Sequence, residues 1–150
     1  MEVMEVMEVM EVSEPQFVTE ARAEYGSAPR SHRDLKVYRR AFDLAIEISV
    51  IAKTFPKDET YGLISQIRRS ARSVHANIAE AWRKRRYEGA FIAKLSDAEA
   101  EAAETQSWLE TACAEGYIDS ATYERLLASY EALLITIVGI INNSDKWIIR

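Results

Sequence analysis

Between residues 31 and 141 the apolar side chains recur at intervals of four and three, in four separate runs. That rhythm follows the 3.6-residue turn of an α-helix, whereas a strand face repeats every second residue. The first run is Val37, Ala41, Leu44, Ile48, Ile51 and Phe55, with Tyr38, Phe42, Ala45 and Ala52 as a second stripe beside it. Only Lys36, Arg40, Asp43 and Glu47 give this helix a clearly wet face. So wide an apolar surface buries more than one flank: either the bundle is unusually deep, or another subunit covers the rest. The second run is Leu63, Ile67, Ala71, Val74, Ile78 and Ala81. The third is Phe91, Leu95, Ala98, Ala102, Thr105, Leu109 and Ala112. The fourth extends from Tyr123 through Leu126, Leu127, Tyr130, Leu133, Leu134, Ile137 and Val138 to Ile141.

Local punctuation sets the expected ends. Ser31 and Asp34 form a variant of the capping box that opens helix 1, which runs to about Phe55 and stops at Pro56. Asp58 is placed to cap helix 2, Gly116 to end helix 3 in a left-handed conformation, and Asp119 to cap helix 4. With five glycines and three prolines, the chain favours long helices over a sandwich with many turns. The expected fold is all-α, an antiparallel up-down four-helix bundle over residues 31–150. Ala98, Ala102 and Ala112 permit close helix contact, and Trp147, Ile148 and Ile149 form an apolar tag expected to dock on the bundle or a neighbour.

Residues 1–30 read as a disordered low-complexity leader. Its first 12 residues are four copies of Met-Glu-Val, and a period of three keeps no face of a helix or a strand apolar. The leader is either a partner-binding tail or a tolerated extension. The first ten residues hold no Lys or Arg and no continuous apolar run, unlike a signal peptide. No stretch approaches the roughly 20 apolar residues of a membrane span. The lone Cys113 cannot form an intramolecular disulfide, so a soluble, cytoplasmic protein is expected.

The net charge of −5 conceals a strong division. Residues 1–30 hold seven Glu against Arg22 and Arg30; residues 31–86 hold 13 basic and six acidic residues, and residues 87–150 hold four and 11. A local patch, and not the total charge, decides whether a polyanion can bind. The densest patch is the run Arg83-Lys84-Arg85-Arg86, flanked by Trp82 and Tyr87. Four adjacent cations gain little by folding, and they suit phosphate neutralisation with the aromatic flanks stacking on unpaired bases. The plain alternative is a solvated turn or a subunit contact. Arg68, Arg69 and Arg72 are expected to pair with carboxylates on helix 3 or helix 1, and Arg72, if exposed, to join the phosphate contacts.

No catalytic, cofactor or metal site emerges. His75 sits between Val74 and Ala76 with no Cys or second His at ligand spacing and reads as a packed histidine. His32 is expected to be exposed and Cys113 to be a buried small residue. Glu101 and Glu104 have the spacing of a carboxylate-bridged metal bundle, but the Glu-x-x-His element is missing, since no His follows His75. Asn77 and Glu80 suit capping or inter-helix hydrogen bonds. Phosphate-loop and dinucleotide motifs are absent.

Asp34-Leu35-Lys36-Val37-Tyr38, Phe55-Pro56, Tyr61-Gly62-Leu63-x-Ser65-Gln66-Ile67-Arg68-Arg69-Ser70-Ala71 and Asn77-Ile78-Ala79-Glu80 follow one another in that order, with Glu104-Thr105 further on. Over roughly residues 32–143 the chain resembles the bacterial four-helix-bundle proteins encoded in intervening sequences of large-subunit ribosomal RNA genes. It is also similar to the accessory variability proteins of diversity-generating retroelements. The resemblance implies a non-enzymatic bundle that assembles into a ring, typically a homopentamer. In the retroelement relatives the ring binds nucleic acid and a reverse transcriptase. Two residue patterns depart from those families. Ala81 stands where Gly usually follows Asn-Ile-Ala-Glu, so helix 2 has licence to continue through Arg86. Helix 3 is acidic, with Asp97, Glu99, Glu101, Glu104 and Glu110, whereas the retroelement relatives are generally basic. The leading expectation is RNA or single-stranded nucleic-acid binding through Arg72, Arg83, Lys84, Arg85 and Arg86. The alternative is a protein-interaction scaffold that docks a protein partner and binds no nucleic acid.

Overall fold

Each of the four apolar runs becomes a helix in the computed structural model, which describes residues 28–150. In chain order these are α1 (Lys36–Ala52), α2 (Leu63–Arg83), α3 (Glu88–Ala114) and α4 (Ser120–Asn142). Three short 3-10 turns, His32–Asp34, Lys57–Glu59 and Ser144–Lys146, complete the regular structure, and no strand occurs among the described residues. The Met-Glu-Val repeats and the rest of the leader up to residue 27 lie outside the described residues.

The ends of α3 and α4 follow the local signals. Gly116 takes φ +80, its N–H bonds the Cys113 carbonyl at 3.0 Å, and the Tyr117 N–H reaches back to Ala112 at 2.8 Å. This pair of bonds satisfies carbonyls that the end of a helix leaves open. Asp119 Oδ1 accepts the Thr122 N–H at 2.7 Å, as an N-cap should.

The ends of α1 and α2 differ from expectation. The Ser31–Asp34 box forms, with the Ser31 N–H on Asp34 Oδ2 at 3.4 Å and the Arg33 N–H on Ser31 Oγ at 3.2 Å. It closes only a 3-10 turn, however, because Leu35 is extended at φ −80, ψ 126. That break lets the Leu35 side chain drop into the core beside Ile78, Trp82 and Trp147. At its other end α1 stops at Ala52, where the Thr54 hydroxyl donates to the Ile51 carbonyl at 2.7 Å. Phe55 is buried beyond the helix. Asp58 does not cap α2. It sits in the turn Lys57–Glu59, whose following amides already bond Pro56 and Lys57 carbonyls, and α2 begins after Gly62 without a side-chain cap.

α2 packs most extensively on α3, α1 lies on α2, and α4 lies on α3. The α2–α3 seam is close because small residues face one another: Ser70, Ala71, Ala98, Ala102 and Thr105 are all fully buried. Thr105 Oγ1 lies 2.8 Å from Ser70 Oγ and 2.9 Å from the Glu101 carbonyl, and Ser70 donates to Ile67, so no hydroxyl in the seam is orphaned. α1 meets α4 more loosely. A groove of about 600 Å³ remains there, lined by Arg40, Leu44, Glu47, Arg125, Ala132 and Leu133 and bridged by Arg125–Glu47 at 2.6 Å.

Two expected core positions lie open. Phe42 is 40% exposed, and with Ile46 (51%) and Val50 (57%) it forms an apolar ridge at i, i+4 and i+8 on the outside of α1. The apolar excess of α1 is therefore not consumed within one protomer. Val138 also faces outward on α4. Trp147 docks as its tag suggested, stacked on Phe91 at 6.1 Å between centroids, while Ile149 stays largely exposed.

Candidate nucleic-acid interface

α2 does not continue through the basic run. It ends at Arg83, and Lys84 turns at φ −93, ψ 7 with its N–H shared between the Glu80 and Ala81 carbonyls. A further helical turn would bring the Arg86 N–H to the Trp82 carbonyl. That carbonyl is taken instead by Arg85 Nε at 2.8 Å, while the Arg85 carbonyl accepts the Ile149 N–H at 3.0 Å. The Tyr87 N–H then closes on Lys84 at 3.1 Å, and Glu88 opens α3. The chain thus presents Arg83 at the end of α2 and Lys84 and Arg86 on the short turn that follows. Cations at the end of α2 also complement its negative dipole end.

The run divides by environment. Arg83, Lys84 and Arg86 are exposed. Arg85 is half-buried, its guanidinium lying over the Trp82 ring, and burial followed by repulsion from Arg83 lowers its pKa below the ordinary guanidinium value. Trp82 itself is only 5% exposed, which corrects the expectation that it stacks on bases. Burying it lets Leu35 and Trp147 seal this end of the core. Tyr87, at 70% exposure, keeps an open ring.

The two acids near the run in sequence are occupied elsewhere. Glu80 pairs with Lys94 of α3 at 2.7 Å, and Glu88 accepts the Ser144 hydroxyl at 2.9 Å. Arg83, Lys84 and Arg86 consequently form no ion pair among the described residues.

The other arginines of α2 separate in the same way. Arg69 forks onto Glu101 at 3.2 and 3.3 Å and also bonds Glu104, and both hydrogen bonds raise its pKa. Arg68 finds a backbone partner in place of a carboxylate: it donates to the Ser49 carbonyl of α1 at 3.3 Å, while its buried Nε has no partner. Arg72 is exposed and unpaired among the described residues, at the rim of a concavity of about 410 Å³ shared with Ser65, Arg68, Ser73 and Ala76. Eleven residues separate Arg72 from Arg83, or three helical turns and about 16 Å, so the two lie on one face of α2.

Antiparallel packing adds cations that sequence reading did not connect with the run. The first turns of α1, the last of α2, the first of α3 and the end of α4 share one end of the bundle, where Leu35 meets Trp82, Phe91 and Trp147. Residues 28–44, 73–99 and 132–150, the half nearest that end, hold 12 basic and seven acidic residues. The opposite half, 45–72 and 100–131, holds six and ten. At the far end Asp58 and Glu59 come beside Glu115, and burial and these carboxylates together raise the pKa of Tyr117. Arg30, Arg33 and Arg40 thereby join the basic end. The signal available in sequence was the excess of cations before residue 87, but only the helix pairing gathers them.

The remaining titratable groups have structural surroundings. His75 lies edge-on to Tyr38 and Phe42 at 5.8 and 5.1 Å, and burial, then Arg72, lowers its pKa. His32 is partly buried against Tyr38 at 4.7 Å, not exposed. Cys113 is only partly buried, one position beyond the core residue Ala112. Asn77 donates to its own helix at Ser73, at 2.9 Å. Among the described residues no three His, Cys, Asp or Glu side chains are grouped to hold a metal. No described helix is long and apolar enough to cross a membrane.

Fold and surface together define a class of protein: an all-α up-down four-helix bundle with a cationic end. The chain belongs to the 23S rRNA-intervening sequence protein family, whose family model matches residues 33–139. It is similar to a protein of unknown function from the S23 ribosomal protein family of Bacteroides thetaiotaomicron VPI-5482, known from a crystal structure. The two are 30% identical, with a TM-score of 0.65, over 71% of this chain and 95% of that one. No curated protein matches the chain.

Proposed function

We propose that this protein is a non-enzymatic, self-assembling bundle of the cytoplasm that binds RNA or single-stranded nucleic acid at its basic end. The observation that carries the reading is the unpaired state of Arg83, Lys84 and Arg86, whose neighbouring acids are held by Lys94 and Ser144. Lys and Arg on a short turn neutralise phosphates, and the exposed Tyr87 supplies a stacking face. Arg72 extends the track along α2. Arg85 serves chiefly as a positioning residue, because its side chain is committed to Trp82. Shape and charge, more than base sequence, select the target.

The test compares the affinity of the chain for a mixed pool of structured and single-stranded RNA at 50 and 200 mM salt. Three or four phosphate contacts predict a loss of roughly tenfold to a hundredfold between these salts. Arg83→Ala, Lys84→Ala and Arg86→Ala combined should abolish most of that binding. Equally feeble binding by both proteins at low salt would sink the reading.

The apolar ridge on α1 supports a second reading, a scaffold that assembles with copies of itself, as a pentamer in the ring implied by the family resemblance, and docks a protein partner. Phe42, Ile46 and Val50 leave a continuous apolar strip that a lone protomer exposes to water. A ring is common to both readings, but only in the first does it repeat a phosphate-binding turn and multiply weak contacts, whereas the scaffold binds no nucleic acid.

A further inference from the structure

The leader carries the charge that the basic end lacks. Residues 1–27 hold seven glutamates and one basic residue, Arg22. The chain enters the described structure at Ala28, and the turn His32–Asp34 that follows packs on α1 and α2 at the end where Arg83 to Arg86 lie. Arg30 and Arg33, within a few residues of the entry point, are exposed, as is Arg40 in the first half of α1. Twenty-seven residues can span up to about 90 Å, several times the width of a four-helix bundle, so reach does not limit the contact. A tethered polyanion acts at an effective concentration in the millimolar range, above that of most free competitors.

We propose that the glutamates of residues 1–27 occupy the basic end and compete there with nucleic-acid phosphates. The inference rests on the nucleic-acid reading above and adds its regulation. Individual exposed ion pairs are weak and screened by salt. The leader therefore sets a threshold that a long phosphate chain exceeds and a short anion does not.

The experiment uses the full chain and a 20-nucleotide oligo(U) probe. Glu14→Gln, Glu20→Gln and Glu24→Gln combined should tighten binding at 50 mM salt by about threefold to tenfold, and the gain should vanish at 500 mM. A control variant carrying Glu110→Gln, Glu115→Gln and Glu124→Gln changes the net charge equally, at the far end and sides of the bundle. It should tighten binding much less; equal tightening by both variants overturns the inference, because net charge alone then explains it. Carbodiimide coupling without RNA reads the contact directly. Links from leader glutamates to Lys84 that disappear at 500 mM salt support it. Absence of such links, with oligo(U) binding intact, overturns the leader contact and leaves the nucleic-acid reading standing. Salt-sensitive links in a protein that binds no oligo(U) overturn the competition and the nucleic-acid reading together.

Discussion

The Arg85 guanidinium carbon lies 3.4 Å from the centroid of the Trp82 ring, and Arg85 Nε donates to the Trp82 carbonyl at 2.8 Å. One side chain thus takes the Trp82 carbonyl at the end of α2, covers a buried indole and holds in place the turn whose Arg85 carbonyl accepts the Ile149 N–H. A planar, forked cation performs all three tasks, and an ammonium cannot. Arg85→Lys should keep the charge of the turn yet lower stability by about 1 kcal/mol through lost stacking and the lost hydrogen bond. Urea unfolding measures that loss. RNA affinity should stay within about twofold, since the phosphate contacts assigned to Arg83, Lys84 and Arg86 remain.

Two glycines separate conformational need from tolerance. Gly116 has φ +80 and Gly89 lies in the first turn of α3, and a Cβ at either position meets nothing within 4 Å. Space is equal, so backbone geometry alone decides. Gly116→Ala should cost about 1 kcal/mol for the left-handed conformation, whereas Gly89→Ala should gain up to about 1 kcal/mol by stiffening the unfolded chain. Chemical denaturation of the two variants gives opposite signs if the helix ends where Gly116 places it.

Stability should fall on mild acidification. Burial, then Arg72, lowers the pKa of His75 from 6.5, and burial, then Arg33, lowers that of His32. The folded chain binds these protons less tightly than the unfolded chain. Their contribution is therefore present above about pH 6.5 and is lost as the pH falls through that value towards the folded pKa. Thermal unfolding at pH 7.5 and 5.5 should show the decline. His75→Phe, which keeps a ring against Tyr38 and Phe42, should reduce it. An unchanged pH profile in that variant would remove His75 from the account.

The outer ridge of α1 should govern assembly. Ile46→Lys and Val50→Lys replace side chains that are more than half exposed, so each should alter the stability of a lone protomer by less than about 0.5 kcal/mol. If the ridge is the subunit contact, the double variant sediments as a monomer while the unmodified chain sediments as an oligomer. Equal masses for both would place the subunit contact elsewhere or show that none exists.

The sequence by itself determined the four helices, because a 3.6-residue period and the caps at Gly116 and Asp119 act within a few residues of chain. It also located the basic run. It misplaced the start of α1, because the capping box at Ser31 is genuine and only the burial of Leu35 reveals that the turn ends there. Other decisions belonged to the tertiary structure, because they join residues far apart in the chain. Arg69 meets Glu101 32 positions away, Glu80 leaves the basic turn for Lys94, and Trp82 is buried against Leu35 and Trp147. Nothing local distinguishes a paired arginine from a free one, or a buried stripe from the open ridge of Phe42, Ile46 and Val50. Packing made those assignments by setting which helix faces which, and the same antiparallel packing converted charge divided along the sequence into charge divided between the two ends of the bundle.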